Sequence, residues 1–121
     1  MPINKKMLAT LRNMIYPEND LRENYKLERK IMNIAHPYVL KPFYKIWDHD
    51  IKVGEHHIPV RLFFPFKDGV YPLLIFFHGG GFATGNIENY SKVCTRLANK
   101  TNHIVLSVDY RLAPENPFPA A

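Results

Sequence analysis

Four of the six glycines in this 121-residue sequence fall between Gly79 and Gly85, three of them consecutive in His78-Gly79-Gly80-Gly81-Phe82. Glycine permits positive φ and close backbone approach, so such a loop can aim N–H groups at an anion. Three chemistries use a loop of this kind. A dinucleotide fingerprint, G-x-G-x-x-G, fails from Gly79 because Thr84 replaces the third glycine, and fails from Gly81 at Ala83. A phosphate-binding G-x-x-x-x-G-K-[S/T] loop fits the spacing of Gly80 and Gly85, but Asn86-Ile87 replaces the lysine and hydroxyl. The third is an oxyanion hole. Acyl transfer builds negative charge on a carbonyl oxygen, and pre-aimed backbone N–H donors stabilise it.

Other residues with chemical potential lack the company they would need. Ser91, in Asn89-Tyr90-Ser91-Lys92-Val93, falls on a helix with no flanking glycine, and Ser107 falls inside a strand. The adjacent His56 and His57 suggest a metal, yet no third ligand stands at suitable spacing, so a surface pair is expected. Cys94 lies on the packing face of a helix and reads as core.

The elements that must hold the loop follow from periodicity. Met7, Leu8, Leu11, Met14 and Ile15 recur at helical spacing over residues 4–15, and Pro17 interrupts them. A second helix, capped by Asn19 or Asp20, is expected to run to about Ala35. It carries Leu21, Tyr25, Glu28 and Met32 on one stripe and Leu27, Ile31 and Ile34 beside it. Its charges interleave Arg22, Lys26, Arg29 and Lys30 with Glu23 and Glu28, as on a solvated face. Pro37 and Pro42 end helix formation.

Strands are then expected from Tyr44 to Val53 and from Ile58 to Phe64, joined as a hairpin through Gly54-Glu55. After a polar turn around Asp68-Gly69, the run Leu73 to Phe77 is apolar on both faces, which predicts a buried, parallel-type strand over 71–77. A helix from Ile87 to about Lys100, capped by Asn86, places Tyr90, Val93, Cys94, Leu97 and Ala98 on one face. A further strand spans His103 to Val108. Strand, helix and strand make a βαβ unit with an expected right-handed crossover. The glycine loop leaves the carboxyl end of its first strand, where open α/β sheets place ligands.

In this context, the glycine loop, Gly85-Asn86-Ile87, Val108-Asp109-Tyr110-Arg111-Leu112-Ala113-Pro114-Glu115 and Pro117-Phe118-Pro119-Ala120-Ala121 together resemble the hormone-sensitive-lipase family of carboxylesterases. The match covers about residues 45 to 121. The resemblance implies the N-terminal part of an α/β-hydrolase sheet, its first four strands, preceded by cap helices. Residues 1–43 would be the cap segment and 44–121 the first half of the catalytic domain.

By position, Gly80 and Gly81 would supply the oxyanion-hole N–H groups. His78, Gly79, Phe82, Asp109, Tyr110 and Arg111 would support the motif, with Arg111 and Glu115 anchoring backbone. The family's nucleophile is a serine in G-x-S-x-G, followed by an acid and a histidine. No such elbow occurs here, and all six histidines (His36, His49, His56, His57, His78 and His103) precede its expected place. The expectation is thus an incomplete piece of a serine esterase for short-acyl esters, inactive alone, ending where the next helix should begin, and needing neither metal nor cofactor. Its strand at 71–77 would be left with an open apolar edge. A non-catalytic small-molecule binder on the same scaffold and a degenerate gene product are the alternatives.

Composition agrees with a folded domain: 46% hydrophobic and 22% charged residues. The net charge is +5, but no run of five like charges marks a nucleic-acid surface. A single cysteine allows no internal disulfide and fits a reducing compartment. Met1 to Ile15 has no continuous apolar core of a signal peptide. No apolar run approaches the ~20 residues of a membrane span. A cytoplasmic protein is expected.

Overall fold

A computed structural model of the chain describes residues 21–35 and 45–121. The expected helix at 4–15, the caps Asn19 and Asp20, and Pro17, Pro37 and Pro42 lie outside the described residues. Helix α1 runs Leu21–Ala35, followed by β1 (Ile46–Val53), β2 (His56–Phe63), β3 (Leu73–Phe77), helix α2 (Ile87–Thr101) and β4 (Ile104–Val108). The strands form one mixed sheet in the order β1-β2-β4-β3. The β1–β2 hairpin pairs Val53 with His56 across Gly54-Glu55, and Gly54 takes φ +61°, which favours glycine. β2 and β4 are antiparallel, whereas β3 and β4 are parallel and joined through α2.

Helix α2 covers one face of the sheet. Phe63, Cys94, Ala98 and Val105 form the buried cluster, with Ile46, Leu74, Phe76, Tyr90 and Leu97 packed against it. The small side chains of Cys94 and Ala98 let the helix approach the sheet closely, so the Phe63 ring is enclosed. Burying a ring of that size contributes roughly 2–3 kcal/mol.

Three features differ from the sequence expectation. Val93 does not join the packed face of α2; it is 50% exposed. The buried stripe is Ile87, Ser91, Cys94, Thr95 and Ala98. At 100° per residue, Val93 sits roughly 140° from the centre of that stripe. Polar Ser91 and Thr95 are tolerated inside because each hydroxyl donates to the carbonyl four residues earlier, Ile87 O and Ser91 O, at 2.8 Å.

The second concerns β3, expected to be buried on both faces. Leu74 and Phe76 face the core, but Leu73, Ile75 and Phe77 are 54%, 55% and 65% exposed. β3 occupies a sheet edge, and α2 covers only its other face.

The reading of the α1 charges as a solvated face fails at one residue. Arg29 reaches back to the loops, donating to Ala83 O at 2.9 Å and Ala113 O at 3.0 Å and pairing with Glu115. Beside it, Asn33 Oδ1 accepts from Asn86 Nδ2 at 3.0 Å and Asn89 Nδ2 at 3.3 Å. Helix α1 is therefore docked on the start of α2 by polar contacts. Its Leu27, Ile31 and Ile34 remain exposed.

Candidate active site

β3 ends at Phe77, and the next residue, His78, turns inward and is 3% exposed. Its ring stacks between Tyr110, at 4.3 Å between centroids, and Tyr90, at 5.6 Å. His78 Nδ1 lies 2.9 Å from Gly79 O. A carbonyl only accepts, so Nδ1 carries the proton in this arrangement. Nε2 has no hydrogen-bond partner among the described residues, and Asp109 Oδ1 is 3.9 Å away. Tyr110 OH donates to His78 O at 2.5 Å. His78 and Tyr110 thus brace the strand end from which the glycines emerge.

The glycines then take conformations that other residues resist: Gly80 has φ +135°, Gly81 +59° and Gly85 +92°. The Gly80 carbonyl accepts from Ala83 N at 3.1 Å, Thr84 N at 3.0 Å and Thr84 Oγ1 at 3.0 Å. This curls residues 80–84 into a tight turn. A Cβ on Gly80 would fall 2.1 Å from Thr84 O, and one on Gly85 would fall 2.6 Å from both Gly79 O and His78 Nδ1. Around Gly81 there is open space. Phe82 is also left-handed, at φ +60°, which costs a residue with a side chain roughly 1–2 kcal/mol. Its carbonyl is held by Ala113 N at 2.8 Å, and its ring meets Tyr110 edge-on at 6.0 Å.

With the Gly80 carbonyl occupied, no described residue accepts from the N–H groups of Gly80 or Gly81. Both glycines line a cavity of about 440 Å³, walled by Phe77, His78, Gly79, Phe82, Tyr110 and Ala121. Unused backbone donors beside an apolar wall can hold a developing oxyanion out of water's competition.

Asp109 starts the segment after β4. Its N–H donates to Pro59 O at 2.9 Å. Burial pushes its carboxyl above the usual range, against the opposing pull of His78, the Ile87 amide and Arg61. The Arg111 guanidinium donates to a backbone acceptor, Ala120 O, at 2.7 Å. Glu115 instead binds a side chain, that of Arg29. Two X-Pro peptides in this segment, Ala113-Pro114 and Phe118-Pro119, are cis.

Sequence reasoning missed Arg61. It is 8% exposed and donates to Asp48 from Nε at 2.5 Å and to Glu88 at 2.7 Å, tying β1 and α2 to β2. Its only sequence signal is a charge placed on the inner face of an alternating strand. The same contact holds the Asp48 carboxyl below its ordinary range. Ser91 and Ser107 are fully buried, as is Cys94, while His56 and His57 stand exposed on β2. No cluster of metal-ligating side chains occurs among the described residues.

A family model described as an alpha/beta hydrolase fold matches residues 74–121. The structure aligns over 99% of its length, at 31% identity and a TM-score of 0.75, with a serine-to-alanine variant of LAE6, an α/β-hydrolase enzyme from the metagenome of Lake Arreo, Spain; it covers 40% of that chain. The chain has an α/β-hydrolase fold. Its mixed sheet and helices match the N-terminal part of that fold.

A second solved structure, the hyperthermophilic esterase of Pyrobaculum calidifontis, aligns with 100% of this chain and 39% of its own, at 34% identity and a TM-score of 0.68. Among curated relatives, the carboxylic ester hydrolase LipN of Mycobacterium tuberculosis is 45% identical over 64 residues, 53% of this chain and 17% of that protein. The arylesterase of Saccharolobus solfataricus is 40% identical over 74 residues, 61% of this chain and 24% of that protein. The resemblance to carboxylesterases therefore holds, and the aligned region spans about a fifth of these curated relatives. Among the described residues no helix is long and apolar enough to cross a membrane.

Proposed function

We propose that the whole protein is a serine carboxylesterase for short-acyl esters, and that this chain supplies its oxyanion loop through the N–H groups of Gly80 and Gly81. One observation carries the reading: these two N–H groups meet no acceptor among the described residues, yet both glycines line the cavity at the end of β3. The names of the relatives agree in reaction class.

In this reading a serine attacks the ester carbonyl, a histidine takes its proton and returns it to the leaving alcohol, and an acid orients the histidine. The two N–H groups receive the charge that gathers on the carbonyl oxygen. Loss of one such donor costs about 3–4 kcal/mol of transition-state stabilisation. Ser91 and Ser107 are sealed in the core and cannot reach an ester, so the 121 residues by themselves do not turn over. In this reading residues 1–43 belong to a cap segment and 44–121 to the first half of the catalytic domain. No metal or organic cofactor is needed, and a reducing, cytoplasmic compartment suits the free Cys94.

The test is hydrolysis of p-nitrophenyl acetate and butyrate by the full-length protein, before and after changing the loop. Gly80→Ala forces a Cβ into Thr84 O and is expected to lower kcat at least about a hundredfold. Gly81→Ala meets no atom and bears only the left-handed backbone, so it folds and loses less. An inert full-length protein, or a folded Gly80→Ala variant with parental kcat, sinks the reading.

A further inference from the structure

We infer that Arg29 is a positioning residue for the glycine loop, coupling the seat of helix α1 to the shape of the proposed oxyanion hole; this rests on the esterase reading above. Its guanidinium closes a ring of hydrogen bonds. Nε donates to Ala83 O at 2.9 Å, and Nη2 donates to Ala113 O at 3.0 Å. The same two residues are tied on their other sides, since Ala83 N donates to Gly80 O and Ala113 N donates to Phe82 O. One side chain thus grips two segments 30 residues apart, each already bonded to a residue beside the unused N–H groups.

The grip needs arginine. Three acceptors lie in different directions: two carbonyls and the Glu115 carboxylate, which takes Nη1 at 2.9 Å and Nη2 at 3.1 Å. A planar fork with fixed donors meets them together, whereas a lysine ammonium is a point charge that loses the paired geometry. The guanidinium also lies 4.8 Å from the centre of the Tyr25 ring, which orients it from within α1. Arg29 is not among the residues lining the cavity at the end of β3, so it acts through Ala83 and Ala113.

The experiment compares Arg29→Lys and Glu115→Gln with the parent full-length protein. It reads kcat and KM for p-nitrophenyl butyrate, amide hydrogen exchange of the peptide spanning residues 79–86, and thermal unfolding. Arg29→Lys should lower kcat about tenfold with KM within about twofold, because small misplacement of catalytic donors weighs on the transition state. Exchange of the loop peptide should quicken. Glu115→Gln, which keeps both carbonyl contacts, should fall between variant and parent. Unchanged kcat and unchanged loop exchange, with only a lower melting temperature, would make Arg29 a mere brace of the helix and overturn the inference. A lower kcat with parental loop exchange overturns it as well. If the parent hydrolyses no ester, the esterase reading fails by itself, and the exchange measurement alone decides whether Arg29 holds the loop.

Discussion

Single atoms decide what the glycine loop tolerates. Gly80 and Gly85 are needed for two reasons at once, a positive φ and the absence of room for a Cβ, whereas Gly81 is needed for its backbone conformation only. The sequence marks all four glycines of the loop, but not that a Cβ on Gly85 would strike Gly79 and His78, which only the turn brings beside it. Gly85→Ala should destabilise the fold by about 2–4 kcal/mol, since the clash falls on the Gly79 carbonyl and a buried ring with no freedom to retreat. Urea unfolding of parent and variant measures it, and a loss below about 0.5 kcal/mol would mean that His78 moves freely.

At the scale of elements, the hydrophobic pattern located both halves of the hairpin, the helix after the loop and the strand that follows it. It failed where polarity and burial part company. Ser91 and Thr95 hide inside α2 because their hydroxyls bond the helix's own backbone, and the core between helix and sheet is consequently thin. Phe63, enclosed by Cys94, Ala98 and Val105, is its largest fully buried side chain. Phe63→Ala should cost about 3–5 kcal/mol, read as a shift in the denaturation midpoint with little change in slope. A cost under about 1 kcal/mol would show that the layer collapses to fill the space.

Across the whole molecule, the contacts the sequence could not disclose are those between distant charged residues. Arg29 with Glu115, and Arg61 with Asp48 and Glu88, join residues 13 to 86 positions apart, and one-dimensional charge patterning makes such residues look like ordinary surface. The α/β order of strands was legible because each strand carries its own periodicity. The exposure of one face of β3 was not, since an apolar run reads the same whether or not something covers it. Leu73, Ile75 and Phe77 leave an apolar strip at an unpaired sheet edge, a template for association. The 121-residue polypeptide expressed by itself should grow in apparent mass with concentration in light scattering, and Ile75→Lys should suppress that growth. A concentration-independent monomer would argue that the strip is covered in solution.

The lone thiol makes this core its own gauge. Cys94 is fully enclosed between helix and sheet, and burial pushes its pKa up to about 11. Near neutral pH almost no thiolate exists in the closed protein, so a thiol-reactive dye can label it only during moments when α2 lifts from the sheet. Labelling speed, divided by that of an unfolded peptide, then counts how often the layer opens. With one cysteine in the sequence, that clock needs no engineered probe and starts without a competing signal.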